Sequence, residues 1–252
     1  MKKAIASGAL QGDLPTILRS GICGYFISHP HLDHVAGLVL NAPNDSNKMI
    51  YALPFCLDVL RDHYFTWEAW ANFGDEGEKP QLKKYHYERM DSLVEKYIPE
   101  AGLAVTAFPL SHASPGMSTA FLLSAQGNYL LYLGDTGPDS IEKSTRLDRL
   151  WKTIAPIIKE KKLKGIFIEV SYPNAQPDKQ LFGHLTPHWL MHEMHVLTGY
   201  CGKTSIDGLK IFVIHIKPAP GSVTTIEQEL HSANDLKLNF HFPAQAKTIV
   251  LE

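Results

Sequence analysis

Five apolar, strand-like runs in this 252-residue chain are each closed by a histidine, an aspartate or a glutamate. "GYFIS" (24–28) is followed by His29, and "LAVTAFPLS" (103–111) by His112. The run 129–133 leads to Asp135 in "YLGDTG", "LKGIFI" (163–168) to Glu169, and "LKIFVI" (209–214) to His215. Between these runs lie segments with helical period: Asp33 to Leu40, "PFCLDVLRDHYFTWEAW" (54–70), and the stretches 145–162, 185–200 and 223–233. Further strands are expected at "KMIYAL" (48–53), in a hairpin over 118–137 turned at "SAQGN", and at "AKTIVL" (246–251). "ANFGDEGEKPQLKK" (71–84) reads as a polar loop. Strands alternating with helices predict an α/β layered domain, and the C-terminal ends of its strands are where a site is assembled.

Composition limits what such a site serves. Hydrophobic content of 44% and charged content of 20% are ordinary for a soluble globular protein. A net charge of −2 offers no broad attraction for nucleic acid or for an anionic membrane. No apolar run approaches the roughly 20 residues of a spanning helix. The opening "MKKAIASGAL" is too broken by Ser7 and Gly8 for a signal peptide and reads as a helix fragment. Cys23, Cys56 and Cys201 are odd in number and widely spaced, which is neither a disulfide framework nor a zinc motif.

The densest chemistry is "HPHLDH", with His29, His31, Asp33 and His34 in six positions. His29 and His31, two apart on extended chain, point the same way and can share one ion. Asp33 and His34, past the bend into a helix, can bind a second. Imidazole nitrogen and carboxylate oxygen suit Zn²⁺, with Mn²⁺ and Fe²⁺ as alternatives. Four ligands do not fill two sites, and His112, Asp135 and His215 are the natural remote candidates. They would complete one site of His29, His31 and His112 and another of Asp33, His34 and His215, with Asp135 between. Two ions about 3.5–4 Å apart activate a shared water for in-line displacement at phosphorus.

H-x-H-x-D-H followed by a lone His, an Asp and a final His resembles the metallo-β-lactamase superfamily. "HPHLDHVAGLVLNAP" is narrower and resembles the signature of the class II cyclic nucleotide phosphodiesterases. "YALPFCLDVLRDHYFTWEAWANFGDEG", "PLSHAS" and "EVSYPN…LFGHLTPHWLMHE" are similar to that family as well. The resemblance runs from about residue 20 to the C-terminus. It implies one αββα sandwich domain over 1–252 that hydrolyses 3′,5′-cyclic AMP or GMP to the 5′-monophosphate. It also implies two divalent ions, zinc foremost, on His29, His31, Asp33, His34, His112, Asp135 and His215. Family members carry several strands before H-x-H-L-D-H, so the domain is expected to be incomplete at its N-terminus. The partner is then a small cyclic nucleotide, with no nucleic acid and no membrane, and a homodimer is one assembly left open. The setting is cytoplasmic for the chain as it stands, and periplasmic if a signal peptide lies upstream.

Further roles follow from neighbourhood. His184, in "LFGHLTPH", is the candidate acid for the leaving 3′ oxygen, or a phosphate contact, with Gly183 and Pro187 marking a shaped loop at the site rim. Glu169 is expected to orient a histidine by accepting its free N–H, and Thr136 to cap the helix that follows, with a bond to Asp135 as the alternative. His188, in a helical first turn, reads as exposed. Tyr64, Phe65, Trp67, Trp70 and Phe73 read as core at helical spacing, with a wall against a purine as the alternative.

Other functions compete on the same ligands. A tRNA 3′-end nuclease would need a basic patch, which the charge runs do not supply. A class B lactamase typically carries a cysteine ligand and no bridging Asp. A thioesterase differs from the phosphodiesterase here only in the class II signature and the aromatic stretch. A metal-binding but inactive fragment is the reading of another class.

Overall fold

The computed structural model describes residues 11–245 and 247–251, so the helix expected over "MKKAIASGAL" lies outside the described residues. The span read as one domain divides into two compact units. One comprises the described residues up to Gly102 with Ala244–Val250, the other Leu103–Pro243 with Leu251.

In the first unit β1 (Gly24–Phe26), β2 (Lys48–Ala52) and β3 (Tyr85–Arg89) form a parallel sheet in that order, and β4 (Glu95–Ile98) follows them in the chain. Helix α1 (Leu32–Asn41) buries Val35, Leu38 and Val39, the i, i+3, i+4 stripe of an amphipathic helix. They join Ile50, Leu57, Leu60, Phe65 and Tyr85 in one core. β3 is not among the strands expected from the sequence. Its alternation places Tyr85 and Tyr87 inward at 0% and 9% exposure.

Helix α2 (Pro54–Val59) continues as a turn of π-helix over Leu60–Tyr64 and stops, short of the helix expected to residue 70. Phe65 leaves the helix to pack fully buried against Tyr85 and Phe73, with ring centroids 5.9 and 6.3 Å away. Trp67 takes φ +64°, which ends helical geometry. Tertiary packing thus overrides the helical spacing of those aromatics.

The same unit buries an ion pair. Lys48 and Asp45 are 4% and 5% exposed and in direct contact. The Lys48 ammonium also donates to the Leu18 carbonyl (2.7 Å) and Ser46 Oγ (2.8 Å). Asp45 accepts from Tyr25 Oη–H (2.6 Å), Tyr85 Oη–H (2.9 Å) and the Ser46 amide (2.7 Å). Burial pushes the Asp45 carboxyl up, but these donors outweigh it and hold the group below the usual carboxylate range.

In the second unit six strands lie in the order β10-β9-β8-β7-β6-β5. They are β5 (Leu103–Ser111), β6 (Met117–Ala125), β7 (Asn128–Leu133), β8 (Leu163–Glu169), β9 (Lys210–Ile214) and β10 (Asn239–His241). β5, β6 and β7 pair antiparallel, β7 through β10 parallel. Helices α3 (Arg146–Lys159), α4 (Pro187–Cys201) and α5 (Ser222–Ala233) contribute Trp151, Ile154, Leu190, Met194, Ile226 and Leu230 to a core with Leu131, Leu133, Ile166 and Ile168. The strand expected at "AKTIVL" does not form among its described residues, where Val250 is 74% exposed. The edge belongs instead to β10, whose Phe240 sits opposite Ile211 and is buried.

Glu193 on α4 is 2% exposed and accepts the Trp151 indole N–H at 2.8 Å. Burial pushes its carboxyl up to about 7, aided by the charges of Asp139 and Asp148 and opposed by the indole. A carboxyl raised on folding costs no stability below its unfolded value, and costs progressively more as pH rises through the folded one. Glu193→Gln keeps the indole bond and is therefore expected to stabilise the protein above pH 7 by about 3 kcal/mol. The gap in melting temperature, followed from pH 5 to pH 8, should open with pH. A constant gap would contradict burial as the cause.

Candidate active site

The first group of candidate ligands sits where β1 gives way to α1. His29 is fully buried, His31 is the N-cap of α1 with φ −62° and ψ 146°, and Asp33 and His34 lie in its first turn. The rings of His31 and His34 are 4.7 and 4.2 Å from that of His29, centroid to centroid. His34 Nε2 is 3.7 Å from Asp33 Oδ2. Asp33 also complements the positive end of the helix dipole. Tyr64 Oη–H donates to the Pro30 carbonyl at 2.9 Å and pins the bend.

The second group lies at the C-terminal ends of β5, β7, β8 and β9. Asp135, 3% exposed, is its centre: Oδ2 is 3.9 Å from His112 Nε2, 3.8 Å from His184 Nδ1 and 3.4 Å from His215 Nε2. His112 donates Nδ1–H to the Gly183 carbonyl at 2.8 Å. His215 Nδ1 lies 3.1 Å from Ser171 Oγ. Both imidazoles thus have Nδ1 engaged and present Nε2 to a buried carboxylate oxygen, the arrangement that metal-ligating histidines require. His215 sits at φ +56°, so the chain turns sharply as β9 ends. Residues His112, Asp135 and His184 bring ligand atoms within 4.8 Å of one another, as do Glu169, His184 and His215, so this donor set fits a divalent ion.

Glu169 is fully buried and its oxygens are taken. Oε1 accepts from His184 Nδ1–H (2.7 Å) and the Thr136 amide (2.9 Å), Oε2 from Ser171 Oγ–H (2.6 Å). That is the geometry of a group that orients a histidine. Tyr172 packs edge-on to the His184 ring at 5.8 Å, its phenol raised by burial and by the Glu169 charge.

Some expectations move. Thr136 caps no helix: its amide goes to Glu169 and its hydroxyl to the Ser111 carbonyl (3.2 Å), because Pro138 already leads the next helical turn. The aromatics at 64–73 are mainly core, with Phe65 and Phe73 at 0% and 7% exposure and Tyr64 and Trp70 packed against the same cluster. Trp67 is exposed and donates its indole N–H to the Pro80 carbonyl at 2.9 Å. His188 is exposed, as expected.

Ser171 is a structural partner the sequence reading gave no role, and Gly183, expected in a loop at the site rim, is the residue that bonds His112. Ser171 stands two residues after Glu169, so on extended chain the two side chains share a face. Gly183 has φ +79°, and a Cβ there would lie 2.1 Å from the Ala113 amide nitrogen and 2.7 Å from His112 Nδ1. Gly183→Ala is therefore expected to displace His112, and a displacement of about 1 Å at a reacting centre costs on the order of 10²-fold in turnover. Crystallography of the variant alongside kinetics checks it. An unmoved His112 with normal turnover would contradict it.

A family model described as "cAMP phosphodiesterases class-II" matches residues 15–245. A 3′,5′-cyclic-nucleotide phosphodiesterase of Aliivibrio fischeri is 45% identical over 238 residues, covering 92% of this chain and 72% of the relative. The crystal structure of unliganded yeast PDE1 superposes with a TM-score of 0.80 at 27% identity, over 90% of this chain and 68% of that one. The metallo-β-lactamase fold protein YhfI from Bacillus subtilis superposes at 0.56 with 12% identity, over 86% of this chain and 73% of that one. The fold is thus the α/β metallo-β-lactamase fold.

Proposed function

We infer that this chain, which belongs to the class-II cAMP phosphodiesterases, hydrolyses 3′,5′-cyclic AMP or GMP to the 5′-monophosphate. What carries the reading is a family match that runs through both ligand-bearing segments, the cluster at 29–34 and the His112–Asp135–His215 group. His29, His31, Asp33, His34, His112, Asp135 and His215 are the proposed ligands of two divalent ions, zinc by donor chemistry, with Mn²⁺ and Fe²⁺ as alternatives. When bound, such ions supply Lewis acidity for activating water and for stabilising charge on the attacking and leaving oxygens.

The chain's own residues do the positioning. The Gly183 carbonyl and Ser171 hydroxyl keep His112 and His215 with Nε2 directed at Asp135. Glu169 fixes the His184 ring through Nδ1–H. His184 is the proposed donor of the proton that the 3′ oxygen takes up as its bond to phosphorus breaks. The buried surroundings of Asp135 and Glu169 keep the electrostatics of these contacts strong.

Metal removal tests the reading. Protein stripped with a chelator is expected to lose turnover of cyclic AMP and to regain it with Zn²⁺, at two ions per chain by elemental analysis. Undiminished turnover in metal-free protein would sink the proposal.

A further inference from the structure

Phe182 is 64% exposed, yet both its neighbours are anchored: Leu181 is 1% exposed and Gly183 is buried. The four residues from Leu181 form a tight turn, closed by the His184 amide on the Leu181 carbonyl at 3.1 Å. Both central residues have positive φ, +53° at Phe182 and +79° at Gly183. That is the φ pattern of a type I′ turn, whose first central position favours Asn, Asp or Gly. A bulky aromatic there adopts a left-handed conformation that L side chains avoid, and its ring stays in solvent. Strain of this kind collects at functional sites.

The turn is rigid where it matters. The Gly183 carbonyl holds His112 at 2.8 Å, and His184 is locked on Glu169 at 2.7 Å. Phe182 is therefore an outward aromatic face fixed one residue from the carbonyl that orients a proposed ligand, and two from the proposed acid. Asp178, Lys179 and Gln180, which lead into the turn, are exposed and polar, so the approach to the turn adds no apolar surface to the ring.

We propose that Phe182 is the base-stacking residue of the site, taking the purine of the cyclic nucleotide on its ring face. The proposal rests on the cyclic-nucleotide reading above. Every base has a π-face, so stacking gives affinity with modest base preference.

The test uses Phe182→Asn, which suits the left-handed turn and removes the ring, with Phe182→Trp as the conservative variant. Each is assayed on cyclic AMP and on an abasic ribose 3′,5′-cyclic phosphate. Phe182→Asn is expected to lower kcat/KM for cyclic AMP by about 5- to 150-fold, chiefly through KM. Turnover of the abasic ester should not change, and Phe182→Trp should retain wild-type KM. An equal loss on both substrates, or no loss on cyclic AMP, would overturn the stacking role. A wild-type protein that turns over neither ester would instead overturn the functional reading beneath it.

Discussion

Asp135→Asn is expected to lower kcat/KM for cyclic AMP by about 10³-fold or more, the cost of losing several kcal/mol of metal-derived stabilisation in the transition state. Asp135 is 3% exposed, and its Oδ2 is where the Nε2 atoms of His112 and His215 converge, at 3.9 and 3.4 Å. Asparagine keeps the volume and replaces a negative oxygen by a neutral one, so the packing should survive while ion affinity falls. Circular dichroism should be unchanged and bound metal reduced. A loss below about tenfold would mean that Asp135 is not at the centre of the chemistry.

Lys48→Met should destabilise the protein by about 3–5 kcal/mol, because it leaves the Asp45 carboxylate buried without its cation. Asp45 is 5% exposed and is held below the usual carboxylate range by Lys48, Tyr25, Ser46 and Tyr85. A carboxyl depressed on folding contributes stability above its unfolded value and loses it as pH falls through the folded one. The deficit of Lys48→Met should therefore shrink in acid. The double variant Lys48→Met, Asp45→Asn should recover part of the loss, since removing both charges removes the uncompensated one. Urea denaturation measures all three proteins. A single-variant cost under about 1 kcal/mol would show that the pair is not electrostatically isolated.

Much of the architecture is legible in the sequence because most elements keep a clean period. Leu103–Ser111, the hairpin Met117–Leu133 and the helix Arg146–Lys159 all stand where the apolar pattern puts them. The pattern misleads where long-range packing decides. Phe65 continues a helical spacing but is drawn out of the helix by Phe73, beyond the helix end, and by Tyr85, on a later strand. "AKTIVL" has strand composition, but Phe240, with a register partner in Ile211, marks the strand that forms the edge. At the site, the His, Asp and Glu residues stand out by type and by their place at strand ends. Ser171 and Phe182 do not, because a serine or a phenylalanine is common anywhere, and Gly183 reads only as part of a loop at the site rim. Their roles come from a hydroxyl at 2.6 Å from Glu169, a missing Cβ against His112 and a left-handed φ.

The central claim, metal-dependent opening of a cyclic phosphodiester on its 3′ side, is read most directly by phosphorus NMR. Zinc-loaded protein is incubated with 3′,5′-cyclic AMP, with His31→Ala in parallel. The expected result is growth of the 5′-AMP resonance in the wild-type sample and its loss in the variant. An unchanged cyclic AMP signal from protein shown to hold its metals, or a 3′-AMP product, would contradict the reading.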